Sequence, residues 1–499
     1  MKKGFRLEFI LLVLIIALAA FLRFYKLSEY MTFLGDEGRD VLMVKRILTT
    51  LDIPLIGPPM SVGNIYLGPL YYYMMTIPMA VFWLNPVAAA GMVALIGTLT
   101  VGLVYFLTRE WFGKTAAFVA GFLYAVSTVN IIYSRSSWNP NPVPFFTLLS
   151  FIGIYLSHKY KNYKWLLLTG VSFAFALQMH YITLLLLPIL FLLWLYELTL
   201  LHLKRRNLES FFVFSIGALL LFGLLMSPLI IFDIKHQWVN FHAFQNLVLG
   251  KDAAVSVSLA EKLKDIPNIY VNKLVGRYMT GEAVSLSLIV AALSLISFVG
   301  LILKQIKIKK LFYPGLILTV WFLIGVLGVS LIRLELTDHY LNFLNPVPYL
   351  LIAGLLSLIK NGKLQILTAT LIVLTLGFIN FQKSPLIQAP SNQLKRTQEV
   401  ANFVIKEAGG KPFNFALIAE RNYDSAYQFY LDVYNHKPKQ VPFEITDQLF
   451  VVCEDKVCEP INHPKYEIAA FGWAKIESVK DFEGVKVFKL VANKTGEPQ

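Results

Sequence analysis

A long apolar run, residues 165–201, reads WLLLTGVSFAFALQMHYITLLLLPILFLLWLYELTLL. It is 37 residues long and carries only His180 and Glu197 as candidates for charge. A helix needs about 20 apolar residues to cross a bilayer, so this run is too long for one crossing. The sequence therefore predicts two membrane helices that double back near Met179-His180-Tyr181.

The whole chain shares this apolar character. Of its 499 residues, 56% are hydrophobic and 14% aromatic, and the mean hydropathy is +0.60. Soluble domains are typically about 45–50% apolar. The chain begins with Lys2, Lys3 and Arg6, and an apolar run from Phe9 to Phe21 follows, which is a signal-like pattern with Ala17 and Ala19 at cleavage spacing. Because many spans follow, we predict an uncleaved signal anchor; with or without cleavage, the next loop is exported. We therefore predict a polytopic membrane protein whose first loop is exported.

The number of spans depends on residues 66–83, a segment of about 18 residues that contains Gly68, Pro69 and Pro78. If this segment crossed the bilayer, every later basic loop would face outward, against the positive-inside rule. We predict that it does not span, and that the net charge of +14 reflects membrane topology rather than nucleic-acid binding. The predicted spans are residues 7–22, 87–107, 115–132, 143–157, 165–179, 182–202, 211–232, 284–303, 312–332, 341–359 and 364–381.

The segment after Phe381 is more polar than the rest. Ser391 is predicted to cap a helix that ends at Glu407, and residues 413–419 and 449–453 are predicted to form strands around a helix at 423–434. Cys453 and Cys458 suit one disulfide or two free thiols, because a zinc site would need a second pair of ligands. We predict a small extracytoplasmic α/β domain at 382–499.

The predicted fold is thus an all-α polytopic membrane bundle of about eleven transmembrane helices over residues 1–381, with juxtamembrane helices in the first exported loop. Inside these spans, Glu197 is almost the only ionisable residue. Ion-coupled transporters place acids and bases near the midplane of the membrane. The polar, aromatic and proline-rich loops instead fall together on the exported face, which favours an enzyme working at the membrane surface.

The stretch Gly35-Asp36-Glu37-Gly38-Arg39-Asp40 concentrates charge just after the first span. A carboxylate can deprotonate an acceptor hydroxyl, which is worth typically ~10²–10⁴-fold in rate. Cations can stabilise charge on a departing phosphate, and aromatic rings can stack on sugars. The candidates on this face are the carboxylates Asp36, Glu37 and Asp40; the phosphate binders Arg39, Arg135, Arg333, His180 and His339; and the substrate contacts Tyr66, Tyr71, Trp138, Asn139, His180, Tyr181 and Tyr340.

The order of these motifs resembles that of the GT-C membrane glycosyltransferases, in the bacterial branch related to protein O-mannosyltransferases and lipid A aminoarabinose transferases. The acidic pair, Gly68-Pro69-Leu70-Tyr71-Tyr72-Tyr73, Tyr133-Ser134-Arg135 and the stretch from Asp338 to Pro346 carry the resemblance, which covers about residues 5–380. It implies transfer of a sugar from a polyprenyl phosphate with inversion, with Asp36 as the base, Glu37 its neighbour and Arg39 a donor-phosphate contact.

The chain departs from relatives in its second exported loop, where Trp138-Asn139-Pro140-Asn141 stands in place of an acid. Asparagine cannot replace a carboxylate as a base or strong metal ligand, so we expect no metal dependence through this loop and no cofactor besides the donor. The expected partners are a lipid-linked sugar, a protein, lipid or glycan acceptor, and plasma-membrane lipids, but no nucleic acid.

Each of these assignments has a structural alternative. Asp36 can act as a helix N-cap, Arg39 can pair with Asp36 or Asp40, and Arg135 and Arg333 can extend to lipid headgroups. The histidines can be merely hydrogen-bonded, and the aromatic residues can form the interfacial belt. For the whole chain, the alternatives are a transporter or flippase for a lipid-linked glycan and a non-catalytic scaffold.

Overall fold

The computed structural model describes residues 3–60, 65–249, 259–332 and 336–493. It divides into two compact units. The first contains residues 1–25, 53–77 and 90–389, and the second contains residues 26–52, 78–89 and 390–499. This division differs from the predicted domains 1–381 and 382–499, because segments 26–52 and 78–89 belong to the same compact unit as the C-terminal segment.

The α-helices, in chain order, are α1 Lys3–Phe24, α2 Leu27–Tyr30, α3 Gly35–Thr50, α4 Leu70–Val81, α5 Pro86–Phe112, α6 Lys114–Val126, α7 Thr128–Tyr133, α8 Val143–Tyr160, α9 Trp165–Met179, α10 Leu186–Leu203, α11 Glu209–Lys235, α12 Val239–Leu249, α13 Leu259–Lys264, α14 Ile266–Asn268, α15 Val284–Lys307, α16 Lys309–Ser330, α17 Pro346–Leu358, α18 Gly362–Gln382, α19 Gln393–Ala408, α20 Ser425–Val433 and α21 Tyr466–Phe471. A π-helix covers Ile269–Thr280, and 3₁₀ turns cover Tyr181–Leu185, Asp338–Leu341 and Pro385–Ile387.

The first unit is helical, and each of the eleven predicted spans overlaps an α-helix. The predicted span 115–132 is divided at Ser127 between α6 and α7, and the α-helix within 341–359 begins only at Pro346. Within the described ranges, seven helices are long and apolar enough to cross a membrane, and three apolar helices are shorter. The chain is therefore a multi-pass membrane protein, while the count of eleven and the orientation remain predictions. Helix α4 has 12 residues and contains Pro78. At a rise of 1.5 Å per residue it is about 18 Å long, and the absence of a crossing at residues 66–83 stays a prediction.

The predicted break in the long apolar run is confirmed. Helix α9 ends at Met179, and His180 is extended, with φ −164° and ψ 126°. A 3₁₀ turn over Tyr181–Leu185 then leads into α10. Both α9 and α10 pack on α8.

The second unit contains a four-stranded sheet of β1 Asn414–Ile418, β2 Gln448–Cys453, β3 Ala474–Phe482 and β4 Val485–Ala492. Its strand order is β1-β2-β4-β3, with β1 and β2 parallel and the other pairs antiparallel. One face forms a core from both parallel strands, β4 and α21, including Ile418, Val451 and Phe471. Helices α19 and α3 both pack against α20.

Both predicted strands and the helix between them are present in this unit. The Ser391 cap is wrong, because α19 begins at Gln393 and its N-cap is Asn392, at φ 48° and without a side-chain capping bond. Cys453 and Cys458 form a disulfide, which excludes the free-thiol alternative. The hairpin β3–β4 was not predicted, although Glu483-Gly484 between alternating apolar and lysine residues is a turn signal.

Candidate functional site

The acidic stretch forms the first turn of α3. The side chain of Glu37, rather than that of Asp36, accepts a backbone hydrogen bond at the start of this helix. Glu37 Oε2 accepts a hydrogen bond from the Leu34 backbone N at 3.1 Å, and its side chain is buried. The helix begins at Gly35, so the acid three positions after Leu34 is the one that reaches back. The N-cap alternative for Asp36 is therefore wrong, and its side chain, 39% exposed, is left for other contacts.

Arg39 joins the two aspartates of the stretch. Its Nη1 donates to Asp36 Oδ1 at 2.8 Å, while its Nε and Nη2 lie 2.9 and 2.8 Å from Asp40 Oδ1. The pairing alternative for Arg39 is thus present in the structure. Its assignment as a donor-phosphate contact remains a prediction.

Asp40 differs from Asp36 in its surroundings. Its side chain is fully buried, and its Oδ2 has no hydrogen-bond partner among the described residues. Burial raises the pKa of Asp40 to about 7, and the charge of Arg39 opposes this only in part. Asp40 is therefore a buried acid whose charged form is disfavoured, whereas the side chain of Asp36 is partly exposed.

Substituting Asp40 by asparagine should flatten the pH dependence of stability. The folded pKa of about 7 lies above the ordinary value of 3.8, so Asp40 favours folding below pH 3.8 and loses this contribution as the pH rises through 7. The unfolding temperature of Asp40→Asn should exceed that of the wild type at pH 8.5, with the gap narrowing at pH 5.5. The control Asp52→Asn replaces an exposed acid and should show the same pH dependence of the unfolding temperature as the wild type. An equal difference in unfolding temperature between variant and wild type at both pH values would contradict the raised pKa of Asp40.

Sequence reasoning missed the residues that contact this stretch from the C-terminal segment. Tyr423 Oη donates to Asp36 Oδ1 at 2.6 Å, and Asn422 Oδ1 accepts from the Gly35 backbone N at 2.8 Å. The available signal was the pair Gly35 and Gly38, since two glycines one helical turn apart indicate a close approach by another backbone.

In the first unit, four predicted residues form a cluster of rings. His339 lies 4.7 Å from Trp138, 5.2 Å from His180 and 4.7 Å from Tyr340 between ring centroids. Burial, and then the nearby His339, lower the pKa of His180 to about 3. Its Nδ1 accepts a hydrogen bond from the Ile182 backbone N at 3.2 Å. His180 is consequently a buried, hydrogen-bonded imidazole whose charged form is disfavoured. Its assignment as a phosphate or substrate contact stays a prediction.

Tyr66 and Tyr181 meet at a second cluster in the same unit. Tyr181 Oη donates to the Tyr66 backbone O at 2.7 Å, and Asn240 Oδ1 accepts from the Tyr66 backbone N at 2.6 Å. Asp233 accepts from the Asn240 backbone N at 2.8 Å. These bonds fix the first loop against α12, and the sequence had singled out neither Asp233 nor Asn240.

Three other predicted residues are buried within the first unit. Tyr71 is fully buried, and Asn139 donates to the Met179 backbone O at 2.7 Å. Arg135 is 1% exposed and donates to the backbone O atoms of Leu22 and Tyr25 at 2.9 and 2.7 Å. The headgroup alternative for Arg135 is therefore wrong, because its guanidinium binds the end of α1. Arg333 lies outside the described residues.

The segment between α12 and α15 adds an arginine that sequence reasoning did not select. Arg277, on the π-helix, contacts Asp338 Oδ2 through Nε at 2.6 Å and Glu282 Oε1 through Nη1 at 3.0 Å. Tyr133 Oη donates to the same Asp338 oxygen at 3.1 Å. Asp338 thus links the end of α7 to the π-helix. In the described ranges, no group of three or more His, Cys, Asp or Glu side chains is arranged to hold a metal ion.

Comparison with known proteins finds a family match over part of the chain and similar folds among solved structures. Residues 67–232 match the family described as dolichyl-phosphate-mannose-protein mannosyltransferase. The structure is similar to ArnT from Cupriavidus metallidurans bound to undecaprenyl phosphate, with TM-score 0.63, 12% identity and 100% of both chains covered. It is also similar to AglB from Archaeoglobus fulgidus in complex with an inhibitory peptide and a dolichol-phosphate, with TM-score 0.53, 12% identity and 100% of this chain and 75% of AglB covered. No curated protein matches the sequence.

The chain has the fold of the GT-C membrane glycosyltransferases, which confirms the resemblance drawn from its motifs. The fold is similar to that of ArnT over the whole length of the chain. The predicted extent of the resemblance, residues 5–380, was therefore too short, because the similarity includes the C-terminal segment.

Proposed function

We propose that this protein is an integral-membrane glycosyltransferase that transfers a sugar from a polyprenyl-phosphate carrier to an acceptor on the exported face, with inversion. The observation that carries the proposal is the state of Asp36. Its Oδ1 is held by Arg39 and Tyr423, and its side chain remains partly exposed. A base needs this combination of a fixed orientation and access to the acceptor.

In the proposed reaction, Asp36 takes the proton of the acceptor O–H as the acceptor oxygen forms a bond to the anomeric carbon of the sugar. The bond between that carbon and the phosphate oxygen breaks, and the polyprenyl phosphate leaves. Arg39, which already binds carboxylate oxygens with several N–H groups, is the donor-phosphate contact proposed in the same unit. The donor-phosphate assignments of Arg135 and His339 stay predictions from the sequence.

The lipid-linked carrier is supported by two neighbours of the fold. The ArnT structure contains undecaprenyl phosphate, and the AglB structure contains a dolichol-phosphate. The match to the mannosyltransferase family points to the same donor class.

The proposal is tested with purified protein and a panel of radiolabelled undecaprenyl- and dolichyl-phosphate sugars in liposomes that also contain cell-envelope lipids and peptides. We expect one donor to be consumed, with label appearing on an acceptor and free polyprenyl phosphate released. Movement of the intact lipid-linked sugar between leaflets, with no donor consumed, would instead support the flippase alternative.

The contacts of Glu197 give no support to that alternative. Its carboxylate oxygens lie 2.6 Å from His158 Nδ1, 2.8 Å from Lys161 Nζ and 2.9 Å from Tyr163 Oη. These partners belong to the short loop between α8 and α9 and its immediate flanks. The acid is thus paired at a helix end, unlike the midplane acids of ion-coupled transporters.

A further inference from the structure

The loop between β1 and α20 is braced by the neighbouring strand. Strands β1 and β2 are parallel, so the segments that follow them leave the same edge of the sheet. Asn422, in the first segment, donates through Nδ2 to Glu454 Oε2 at 2.8 Å. Tyr427 Oη donates to Glu454 Oε1 at 2.6 Å. Glu454 directly follows Cys453, whose disulfide with Cys458 closes that segment covalently. The loop that carries Tyr423 is therefore fixed on both sides.

The backbone of helix α3 is in close contact with this loop. The Gly35 backbone N donates to Asn422 Oδ1 at 2.8 Å. A Cβ atom at Gly35 would lie 2.5 Å from Tyr423 Cδ1, and one at Gly38 would lie 2.2 Å from the Ala426 backbone N. The two glycines therefore permit a contact that no larger residue could make.

The contact continues along α3 beyond its first turn. Lys45 Nζ lies 2.8 Å from Asp432 Oδ2, on α20, and the rings of Phe33 and Phe429 are 6.2 Å apart between centroids. These polar and apolar contacts thus fix the position of α3 along α20 and its rotation about its own axis.

Tyr423 reaches Asp36 from this fixed loop. Its Oη donates to Asp36 Oδ1 at 2.6 Å and accepts from Arg39 Nη1 at 3.1 Å. Burial raises the pKa of the phenol, which therefore keeps its proton at neutral pH and remains a donor. Arg39 and Tyr423 both donate their hydrogen bonds to Asp36 Oδ1. Within the described ranges, Asp36 Oδ2 accepts no hydrogen bond.

We infer that Tyr423 is a positioning residue for Asp36, and that the C-terminal segment completes the catalytic loop rather than serving as a separate accessory domain. Tyr423 and Arg39 fix Oδ1, which directs Oδ2 to the acceptor. This inference rests on the proposed function, in which Asp36 is the base.

The test compares Tyr423→Phe with Tyr434→Phe, using the radiolabelled donor that the panel identifies. Tyr434 lies just beyond the end of α20, and its Oη accepts a hydrogen bond from Gln398 of α19 at 2.7 Å. We expect Tyr423→Phe to lower kcat about 10-fold or more, with KM for the donor within about 2-fold of wild type, because orientation and not binding is lost. Tyr434→Phe should retain wild-type kcat and KM. Unfolding temperatures of both variants near the wild-type value would exclude misfolding as the cause.

A double variant separates positioning from general damage. When Asp36→Asn has removed the base, Tyr423→Phe should cause no further loss, because the two residues act as one unit. If the two substitutions lower kcat by independent factors that multiply in the double variant, the inference is wrong. If Asp36→Asn is inactive while Tyr423→Phe keeps wild-type kcat, the inference is wrong and the proposed function stands. Full activity of Asp36→Asn would instead remove the base from the proposed function itself.

Discussion

Asp36→Asn should abolish most sugar transfer, with a loss of about 10²–10⁴-fold in kcat, the range that a general base contributes. Asparagine has nearly the same shape and can still accept hydrogen bonds from Arg39 and Tyr423 through its amide oxygen. It cannot accept the proton of an acceptor hydroxyl. Folding should be preserved, since Glu37 and not Asp36 satisfies the backbone at the start of α3.

The measurement is donor consumption by the purified variant, with Asp52→Asn as the matched control. Asp52 is an exposed acid just beyond α3, paired with Arg46, so its replacement tests the loss of a carboxylate without touching Asp36. The control should keep wild-type turnover. Activity of Asp36→Asn within a few-fold of wild type would show that another group accepts the proton.

Gly38→Ala should disrupt the second unit and activity together. The added Cβ would lie 2.2 Å from the Ala426 backbone N and 2.4 Å from its Cα. Backbone atoms of a packed helix cannot turn away as a flexible side chain can, so α3 must move off α20. We expect a loss of about 3 kcal/mol in stability, and a loss of transfer, because Asp36 would leave Tyr423.

Gly91→Ala is the control, because Gly91 is also helical and a Cβ added there would have no described neighbouring atom within 4 Å. Alanine favours a helix over glycine by about 1 kcal/mol, so this variant should be as stable as the wild type or slightly more so. Unfolding temperature and donor turnover are measured for both. A Gly38→Ala variant with wild-type values in both would contradict the close packing of α3 on α20.

The class of fold was accessible from the sequence because it depends on length and polarity. Residues 165–201 are too long and too apolar for one crossing, and the chain breaks where His180 interrupts the run. The start of α3 was predicted less accurately. Aspartate is a common N-cap, but the helix begins one residue before Asp36, so Glu37 reaches the Leu34 backbone N instead. An error of one residue in the predicted start of a helix therefore assigns the capping role to the wrong neighbouring side chain.

The direction of long side chains was harder to predict. Arg135 was expected at the membrane rim, yet it turns inward to bind the backbone O atoms of Leu22 and Tyr25. Its position at the end of a helix is local information, but its partners come from a segment 110 or more positions away. His180 likewise becomes buried and neutral only because of its packing and its neighbour His339.

The sequence by itself determined that this chain is a membrane bundle with a more polar C-terminal segment, and that carboxylates gather after the first span. Hydrophobic length, loop charge and residue order suffice for that, since they act locally along the chain. The tertiary structure alone decided which aspartate is buried, which is accessible, and that Tyr423, 387 positions away, donates to Asp36. Such contacts depend on distance in the folded protein, which no local pattern specifies.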